Sequence, residues 1–197
     1  MNMETYAHLP RLVCSWYAEN KRQLPWRRDR DPYRVWVSEI MLQQTRVEAA
    51  KPYFERFITE LPDAAALADC PEDKLLKLWE GLGYYSRVRN MQKAARIIVR
   101  DRQGRLPADP KELTALPGIG SYTAGAIASI AYGVRVPAVD GNVLRILARY
   151  TADGRNVLNA AVKKEAEASL TEVLQDWPEP GEFNQGLMDL EIGRAHV

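Results

Sequence analysis

The sequence has little cysteine, no long apolar run and no sustained alternation of apolar and polar residues. Its 197 residues include two cysteines, Cys14 and Cys70, whose separation does not match the spacing of a metal site, so we expect no metal bound by this chain. Both thiols are expected to be reduced and buried. No apolar run approaches the roughly 20 residues that cross a bilayer, and the N-terminus lacks a signal-peptide pattern. These absences predict a cytoplasmic protein with no membrane partner.

Neither sign of charge dominates, because 27 Lys and Arg residues against 26 Asp and Glu residues give a net charge of +1. Composition alone therefore does not indicate a nucleic-acid-binding protein. The cations are unevenly placed, however, and the basic stretch from Arg87 to Arg105 contains a single acid, Asp101. Such a stretch suits a face turned toward phosphate. On charge alone, a solvated helix face is the favoured interpretation.

Helical spacing of apolar residues runs through nearly the whole chain. Asp31-Pro32 and Asp109-Pro110 are typical helix starts, and Gln23–Arg27 is predicted to be a loop. Further helices are predicted over 47–60, 63–69, 72–80, 85–102, 121–132, 141–150, 158–175 and 181–190. Because no segment shows strand alternation with turn signals, the predicted fold class is all-α.

One segment joins two of these helices through a tight glycine-containing hairpin, Leu116-Pro117-Gly118-Ile119-Gly120-Ser121-Tyr122-Thr123. Backbone N–H groups at the start of the second helix, together with the helix dipole, hold a phosphate without reading sequence. Glycines let a DNA backbone approach closely. The alternative is a connection used for packing alone. The segment resembles the helix–hairpin–helix DNA-binding motif, which makes Gly118, Gly120, Ser121 and Thr123 candidate DNA contacts.

A second segment, Val136–Ile146, places Asp140 where a helix N-cap is expected. As a single residue, Asp140 is best interpreted as a cap. Its distance after the hairpin resembles that of the essential aspartate of the helix–hairpin–helix glycosylase superfamily. A carboxylate there would stabilise the positive charge that builds on a sugar as its base departs.

The combined motifs resemble those of the MutY-type adenine DNA glycosylases over about residues 5–190. The matching segments are Leu24–Arg27, Ser38–Thr45, Gly81–Arg87, the hairpin and Val139–Asn142. The resemblance implies a six-helix barrel lobe over 25–136, with the helix–hairpin–helix motif at 113–127. It implies a second helical lobe formed by 1–24 with 137–190.

The resemblance also implies catalytic roles. Glu39 would be the general acid that protonates adenine at N7, since burial can keep a carboxylic acid protonated near neutral pH. Asp140 would face the developing oxocarbenium ion, acting electrostatically, adding to the sugar or positioning water. Tyr122 and Asn142 would orient Asp140 and the nucleophile. A surface charge on an amphipathic helix is the alternative interpretation of Glu39.

Two further groups of residues match family positions that contact DNA. Trp26 and Arg27 would line the adenine pocket by stacking and hydrogen bonding, with packing or surface roles as the alternative. Gln44 and Tyr84 would form a wedge that enters the base stack, with Thr45 nearby, and so offset the cost of flipping a base. Tyr85 is instead predicted to be a core aromatic residue.

The implied function is that of a monofunctional adenine DNA glycosylase of base excision repair. It would act as a monomer, in the bacterial cytoplasm at the nucleoid, on double-stranded DNA whose adenine is mispaired with 8-oxoguanine or guanine. The chain could instead be an endonuclease III-type glycosylase and lyase, but that chemistry needs an amine that forms a Schiff base. Relatives of that type carry the lysine where this chain has Tyr122. Outside enzymes, the sequence also allows a non-catalytic helix–hairpin–helix DNA-binding module or a purely structural helical domain.

The C-terminal residues 191–197 depart from the family pattern, and we expect them to be a tail foreign to it. The family continues past this point with four cysteine ligands of a [4Fe-4S] cluster and with a further domain that recognises 8-oxoguanine. Without those thiolates this chain ligates no cluster.

Overall fold

The computed structural model describes residues 6–192, which contain eleven α-helices and no β-strand. The all-α prediction is therefore confirmed. The helices, in chain order, are α1 (Leu9–Asn20), α2 (Pro32–Leu42), α3 (Val47–Glu60), α4 (Ala64–Asp69), α5 (Glu72–Trp79), α6 (Ser86–Arg102), α7 (Pro110–Thr114), α8 (Ser121–Tyr132), α9 (Gly141–Thr151), α10 (Ala160–Leu174) and α11 (Pro180–Ile192). A short 3-10 turn, Pro25–Arg27, lies within the segment predicted to be a loop.

The chain divides into two compact units. The hairpin unit is Gln23–Ile127, and the terminal unit is the described part of Met1–Arg22 together with that of Ala128–Val197. The residues expected to be foreign to the family, 191–197, fall outside the described residues except for the backbone of 191 and 192, which ends α11.

The second division falls inside α8, after Ile127, whereas the family pattern predicts it after residue 136. The last part of α8 belongs to the terminal unit because α11 packs tightly against it. The buried Asn184 side chain donates to Ser129 Oγ at 2.8 Å. A Cβ atom at Gly181 would lie 2.8 Å from the Ser129 carbonyl oxygen, so this close approach depends on glycine.

Aspartate caps fix the starts of several helices in the hairpin unit. Asp31 accepts from the Arg34 N–H at 2.9 Å and begins α2, and Asp63 accepts from the Ala66 N–H at 2.8 Å and begins α4. Asp109 caps α7 in the same way. Each cap satisfies an N–H group that has no partner within its own helix. The predicted helix starts at Asp31 and Asp109 are confirmed.

The core of the hairpin unit surrounds α2. Eight of the eleven residues of α2 are buried, so this helix is covered on nearly all sides. Trp36, Phe57 and Trp79 are fully buried, and the Phe57 and Trp79 rings meet edge to face with centroids 5.9 Å apart. Gln92 of α6 donates to the Cys70 carbonyl at 2.6 Å, which holds α6 against the end of α4.

The terminal unit packs around a single apolar cluster. Its members include Val13 of α1, Leu147 of α9, Leu170 of α10 and Phe183 of α11. At the edge of the cluster, Arg22 Nε donates to the buried Asp189 carboxylate at 3.0 Å. None of the described helices is long and apolar enough to cross a membrane.

Candidate active site and nucleic-acid interface

The predicted hairpin is present between α7 and α8. The Leu116 N–H donates to the Leu113 carbonyl at 3.1 Å, and the Ile119 N–H donates to the Leu116 carbonyl at 3.2 Å. Gly118 has a φ of +80°, a conformation that a side chain would strain. A Cβ there would also lie 2.9 Å from Asn90 Cβ. The turn therefore requires glycine both for its backbone and for its contact with α6.

The hairpin presents three of its four predicted DNA contacts to solvent. Gly118, Gly120 and Ser121 are exposed, while the apolar Leu116 and Ile119 anchor the turn from below. The first bond of α8 is donated by the Ala124 N–H to the Gly120 carbonyl. The N–H groups that precede this bond lie at the positive end of the helix dipole, where a phosphate is attracted.

Thr123 differs from the other three hairpin residues in burial. It is 2% exposed, so its side chain packs inside the protein, and a contact with DNA, which stays a prediction, would use its backbone. From Thr123 to Ile130 every residue of α8 is buried, so this helix is covered on all sides over these residues.

Glu39 lies in the second half of α2 and is 7% exposed. Its neighbours Ile40 and Met41 are buried apolar side chains. A glutamate is rarely buried to this degree, because removing a carboxyl group from water is costly. The alternative interpretation of Glu39 as a surface charge is therefore wrong, and the burial that the general-acid role needs is present.

Asp140 is the N-cap of α9, as the single-residue interpretation predicts. Its Oδ1 accepts from the N–H groups of Asn142 and Val143, each at 2.9 Å. Its backbone is extended, with φ −120° and ψ −174°, which directs the carboxylate across the first turn of the helix. The cap holds the carboxylate in one orientation, and this arrangement is equally what a fixed catalytic charge requires.

Asn142 contacts the second oxygen of the same carboxylate. Its Nδ2 donates to Asp140 Oδ2 at 3.1 Å, and its own Oδ1 accepts from Arg145. The chain Arg145–Asn142–Asp140 fixes the amide so that it donates to the carboxylate. Tyr122 is half-buried in the first turn of α8.

The segment 136–138, just before Asp140, is held in place by the buried side chain of Asn184. Asn184 accepts from the Ala138 N–H at 3.0 Å and donates to the Val136 carbonyl at 3.0 Å. Together with its bond to Ser129, this amide ties the approach to α9 onto α8 and α11. The sequence pattern does not single out Asn184, since a lone asparagine in a helix carries no signal of such a role.

Trp26 and Arg27 lie in the 3-10 turn, and the two differ in burial. Trp26 is 6% exposed and meets Phe54 edge to face, with ring centroids 5.3 Å apart. It therefore packs in the core of the hairpin unit, and its contact with adenine stays a prediction. Arg27 is half-buried.

Gln44 and Tyr84 both lie on exposed loops of the hairpin unit, with φ values of +60° and +46°. Such values are uncommon for residues other than glycine and strain the backbone. Tyr84 is 64% exposed. Thr45 is half-buried and donates to the Gln43 carbonyl at 3.5 Å. Tyr85, predicted to be a core residue, is instead the N-cap of α6 and is 37% exposed.

Three of the seven cations in the basic stretch form ion pairs on the surface. Arg89 pairs with Glu72, Arg100 with Asp101 and Arg102 with Glu112, as the solvated-face interpretation predicts. Arg87 differs from these three, because its guanidinium is directed inward against backbone carbonyl groups.

The residues of this chain do not fit the cluster that the resemblance implies for the family. A [4Fe-4S] cluster takes four thiolates, whereas the sequence has two cysteines, one in each unit. Burial raises the pKa of the Cys14 thiol to about 11, and the Cys70 thiol donates to the Pro71 carbonyl at 3.5 Å. Among residues 6–192, no group of three or more His, Cys, Asp or Glu side chains is placed to hold a metal ion.

Curated relatives carry one name. The adenine DNA glycosylase of Buchnera aphidicola from Acyrthosiphon pisum is 43% identical over 180 residues, which cover 91% of this chain and 51% of the relative. The adenine DNA glycosylase of Homo sapiens is 44% identical over 187 residues, covering 90% of this chain and 34% of the relative. The chain thus spans between a third and about half the length of these two relatives.

Solved structures share the fold. A thermostable thymine-DNA glycosylase has a TM-score of 0.81 at 26% identity, covering 95% of this chain and 86% of that one. Endonuclease III in a non-covalent complex with DNA has a TM-score of 0.76 at 20% identity, covering 95% and 85%. The model of the family described as HhH-GPD superfamily base excision DNA repair protein matches residues 37–175, more than half of the chain. The chain therefore belongs to the helix–hairpin–helix (HhH-GPD) superfamily of base excision DNA repair proteins.

Proposed function

We propose that this chain carries the catalytic residues of a monofunctional adenine DNA glycosylase acting on adenine mispaired with 8-oxoguanine or guanine. The observation that carries the proposal is a buried glutamate, Glu39, in a chain whose Asp140 is independently fixed by a helix cap. The relatives named adenine DNA glycosylase support the choice of base.

Glu39 would act on the leaving group. Adenine leaves poorly as an anion, so a proton delivered to N7 lets the C1′–N9 bond break with the electron pair staying on a neutral base. General-acid catalysis of this kind contributes on the order of a hundredfold to ten-thousandfold. The buried position of Glu39 shields that proton from exchange with bulk water.

Asp140 would act on the sugar. As the base departs, positive charge builds on C1′ and the ring oxygen, and a fixed carboxylate stabilises it. Water then adds to C1′ and loses a proton, which leaves an abasic site. Because the cap and Asn142 hold Asp140 in place, the carboxylate needs little reorganisation during the reaction.

DNA binding would use the backbone more than side chains. The exposed hairpin residues Gly118, Gly120 and Ser121 would receive a phosphate at the N-terminus of α8. The exposed Tyr84 and Gln44 would enter the base stack, which lowers the cost of extruding a nucleotide from duplex DNA. We infer that the protein acts as a monomer on the duplex.

One residue favours hydrolysis over strand cleavage: the one at the position where glycosylase/lyases carry their reactive lysine. Tyr122 occupies it, and no lysine occurs between Lys111 and Lys163. A phenol does not form the Schiff base on which β-elimination depends. The proposed product is therefore an intact strand with an abasic site.

The test uses the purified chain and an end-labelled duplex with one adenine opposite 8-oxoguanine. We expect abasic sites that become strand breaks only after alkali treatment, no adduct trapped by borohydride, and no product from a duplex with adenine opposite thymine. Strand breaks without alkali together with a trapped adduct would indicate a lyase. Tight binding without product would indicate a non-catalytic DNA-binding module.

A further inference from the structure

Arg87, the second residue of α6, joins two loops that are far apart in sequence. Its Nη1 donates to the carbonyl groups of Ile40 at 2.9 Å, Met41 at 3.3 Å and Gln43 at 2.5 Å. Its Nη2 donates to the carbonyl groups of Leu82 at 2.9 Å and Gly83 at 3.2 Å. One planar guanidinium thus spans the end of α2 and the loop that follows α5.

Three of the carbonyl groups that Arg87 contacts lie where a positive charge is stabilised. Those of Ile40, Met41 and Gln43 lie at the C-terminal end of α2, where the last carbonyls have no intrahelical donor and the helix dipole is negative. No carboxylate among the described residues forms an ion pair with Arg87, so carbonyl dipoles and aromatic rings surround its charge. Its buried Nε has no hydrogen-bond partner, which shows that the contacts of the two terminal nitrogens set its orientation.

Each loop held by Arg87 carries one strained residue. Gln44 directly follows the last carbonyl contacted in the first loop, and Tyr84 directly follows the last one contacted in the second. Both have positive φ values. Among the described residues, the other two non-glycine positions with positive φ are Gln103 and Ala152, which are the C-caps of α6 and α9 and lie outside these two loops. Strain at Gln44 and Tyr84 persists only where the surroundings impose it.

Arg87 also contacts Tyr84 directly. Its guanidinium carbon lies 5.7 Å from the centre of the Tyr84 ring and 5.3 Å from that of Trp79. The Tyr84 carbonyl accepts from the Arg87 N–H at 2.9 Å. The exposed ring is therefore fixed at its backbone and at its face by the residue that binds the other loop.

We propose that Arg87 is a positioning residue that locks the Gln44 loop (43–46) and the Tyr84 loop (80–85) into one rigid wedge for extruding the target nucleotide. This inference rests on the proposed function and adds the element that makes the two loops act together. Arg87 touches no reacting atom, so it sets the rate of extrusion and leaves the bond-breaking step alone. A lysine would not replace it, because a single ammonium nitrogen lacks the fork that reaches both loops.

The variants Arg87→Met and Arg87→Lys test the proposal, with Arg96→Met as the matched control. Arg96 lies on the same helix and also donates to a backbone carbonyl, that of Ala68 at 3.2 Å, but it does not contact either loop. The first measurement is amide hydrogen exchange. We expect exchange to rise together at 43–46 and at 80–85 in both Arg87 variants and in neither segment of Arg96→Met.

The second measurement compares single-turnover adenine release from a mismatched duplex with release from a bubble in which the adenine is already unpaired. For Arg87→Met and Arg87→Lys we expect about a tenfold loss on the duplex, equal to about 1.4 kcal/mol, and a loss below about threefold on the bubble. Equal losses on both substrates, an unchanged rate on the duplex, or a rise in exchange at only one loop would overturn the proposal.

The fluorescent adenine analogue 2-aminopurine separates this proposal from the proposed function. Its fluorescence rises on extrusion without any bond breaking. A wild-type chain that extrudes the analogue but releases no adenine would refute the glycosylase function, while loss of the signal in Arg87→Met would still support the wedge. A signal equal in wild type and Arg87→Met would overturn the role of Arg87 whatever the activity.

Discussion

The two roles of Asp140, helix cap and catalytic charge, separate in two substitutions at one position. Asp140→Asn keeps a side-chain oxygen that accepts from the N–H groups of Asn142 and Val143, and it removes the negative charge. Asp140→Ala removes both the acceptor and the charge. The first variant should therefore lose activity with little loss of stability, because it gives up only the exposed bond from Asn142 Nδ2 to Asp140 Oδ2. The second variant should lose both activity and stability.

The magnitudes follow from the two cap bonds, each 2.9 Å long. Replacing a capping aspartate by alanine costs about 1 kcal/mol, whereas asparagine caps about as well as aspartate. In a chain of this length, about 1 kcal/mol lowers the Tm by roughly 2–4 °C. Loss of a fixed charge that stabilises a transition state costs on the order of a hundredfold to a thousandfold in rate.

The assay combines thermal unfolding with single-turnover adenine release from a duplex containing adenine opposite 8-oxoguanine. Asp63→Asn is the matched control, because Asp63 caps α4 in the same way and has no proposed catalytic role. Asp140→Asn should unfold near the wild-type temperature and release almost no adenine. Release by Asp140→Asn at the wild-type rate would refute the catalytic charge, and a Tm as low as that of Asp140→Ala would refute the reasoning on the cap.

Three further predictions concern the terminal unit. In Gly181→Ala, the added Cβ would lie 2.8 Å from a backbone oxygen of α8. Such overpacking should lower the free energy of unfolding by about 1–3 kcal/mol. An unchanged denaturant midpoint would contradict the predicted loss of stability. Arg22→Met removes one ion partner of the Asp189 carboxylate, whose side chain is 2% exposed. The loss should lower the free energy of unfolding in urea by about 2 kcal/mol, below the range for fully buried pairs because Arg22 is partly solvated. An unchanged free energy of unfolding would show that the pair is dispensable. Burial raises the pKa of the Cys14 thiol to about 11. The neutral thiol should therefore react slowly with iodoacetamide at pH 8 and faster as the pH approaches 11. Equal labelling rates of Cys14 in native and urea-unfolded protein, measured by peptide mapping, would contradict the raised pKa.

The positions of many helices and their starts can be predicted from the sequence, because they depend on local signals. Asp31 and Asp109 precede prolines and cap helices as predicted. The segments predicted over 47–60 and 121–132 match α3 and α8 residue for residue. The N-cap position of Asp140 follows from the same local rule.

The burial of individual side chains and the contacts between distant segments are harder to predict from the sequence. Thr123 is buried with the rest of α8, and Trp26, in a 3-10 turn, is buried against Phe54 of α3. Residues next to them in the sequence do not indicate this burial. Tyr85 is exposed at the N-cap of α6. The contacts of Arg87 are hidden for a different reason, since its five acceptors are backbone carbonyl groups, which every residue has. A pattern of side chains therefore cannot reveal them.

The proton donor is the part of the mechanism that a single substitution tests most directly. Glu39→Gln keeps the size and hydrogen-bonding capacity of a side chain that is buried in α2, but it removes the acidic proton that would reach adenine N7. Glu48→Gln, on the exposed surface of α3, is the control for loss of one carboxylate.

The decisive measurement is the single-turnover rate of adenine release by Glu39→Gln at saturating protein. We predict that this rate falls about a hundredfold or more, while the affinity for the duplex stays within about twofold of that of the wild type and Glu48→Gln is unaffected. Adenine release by Glu39→Gln at the wild-type rate would contradict the central claim that this buried carboxyl group protonates the departing base.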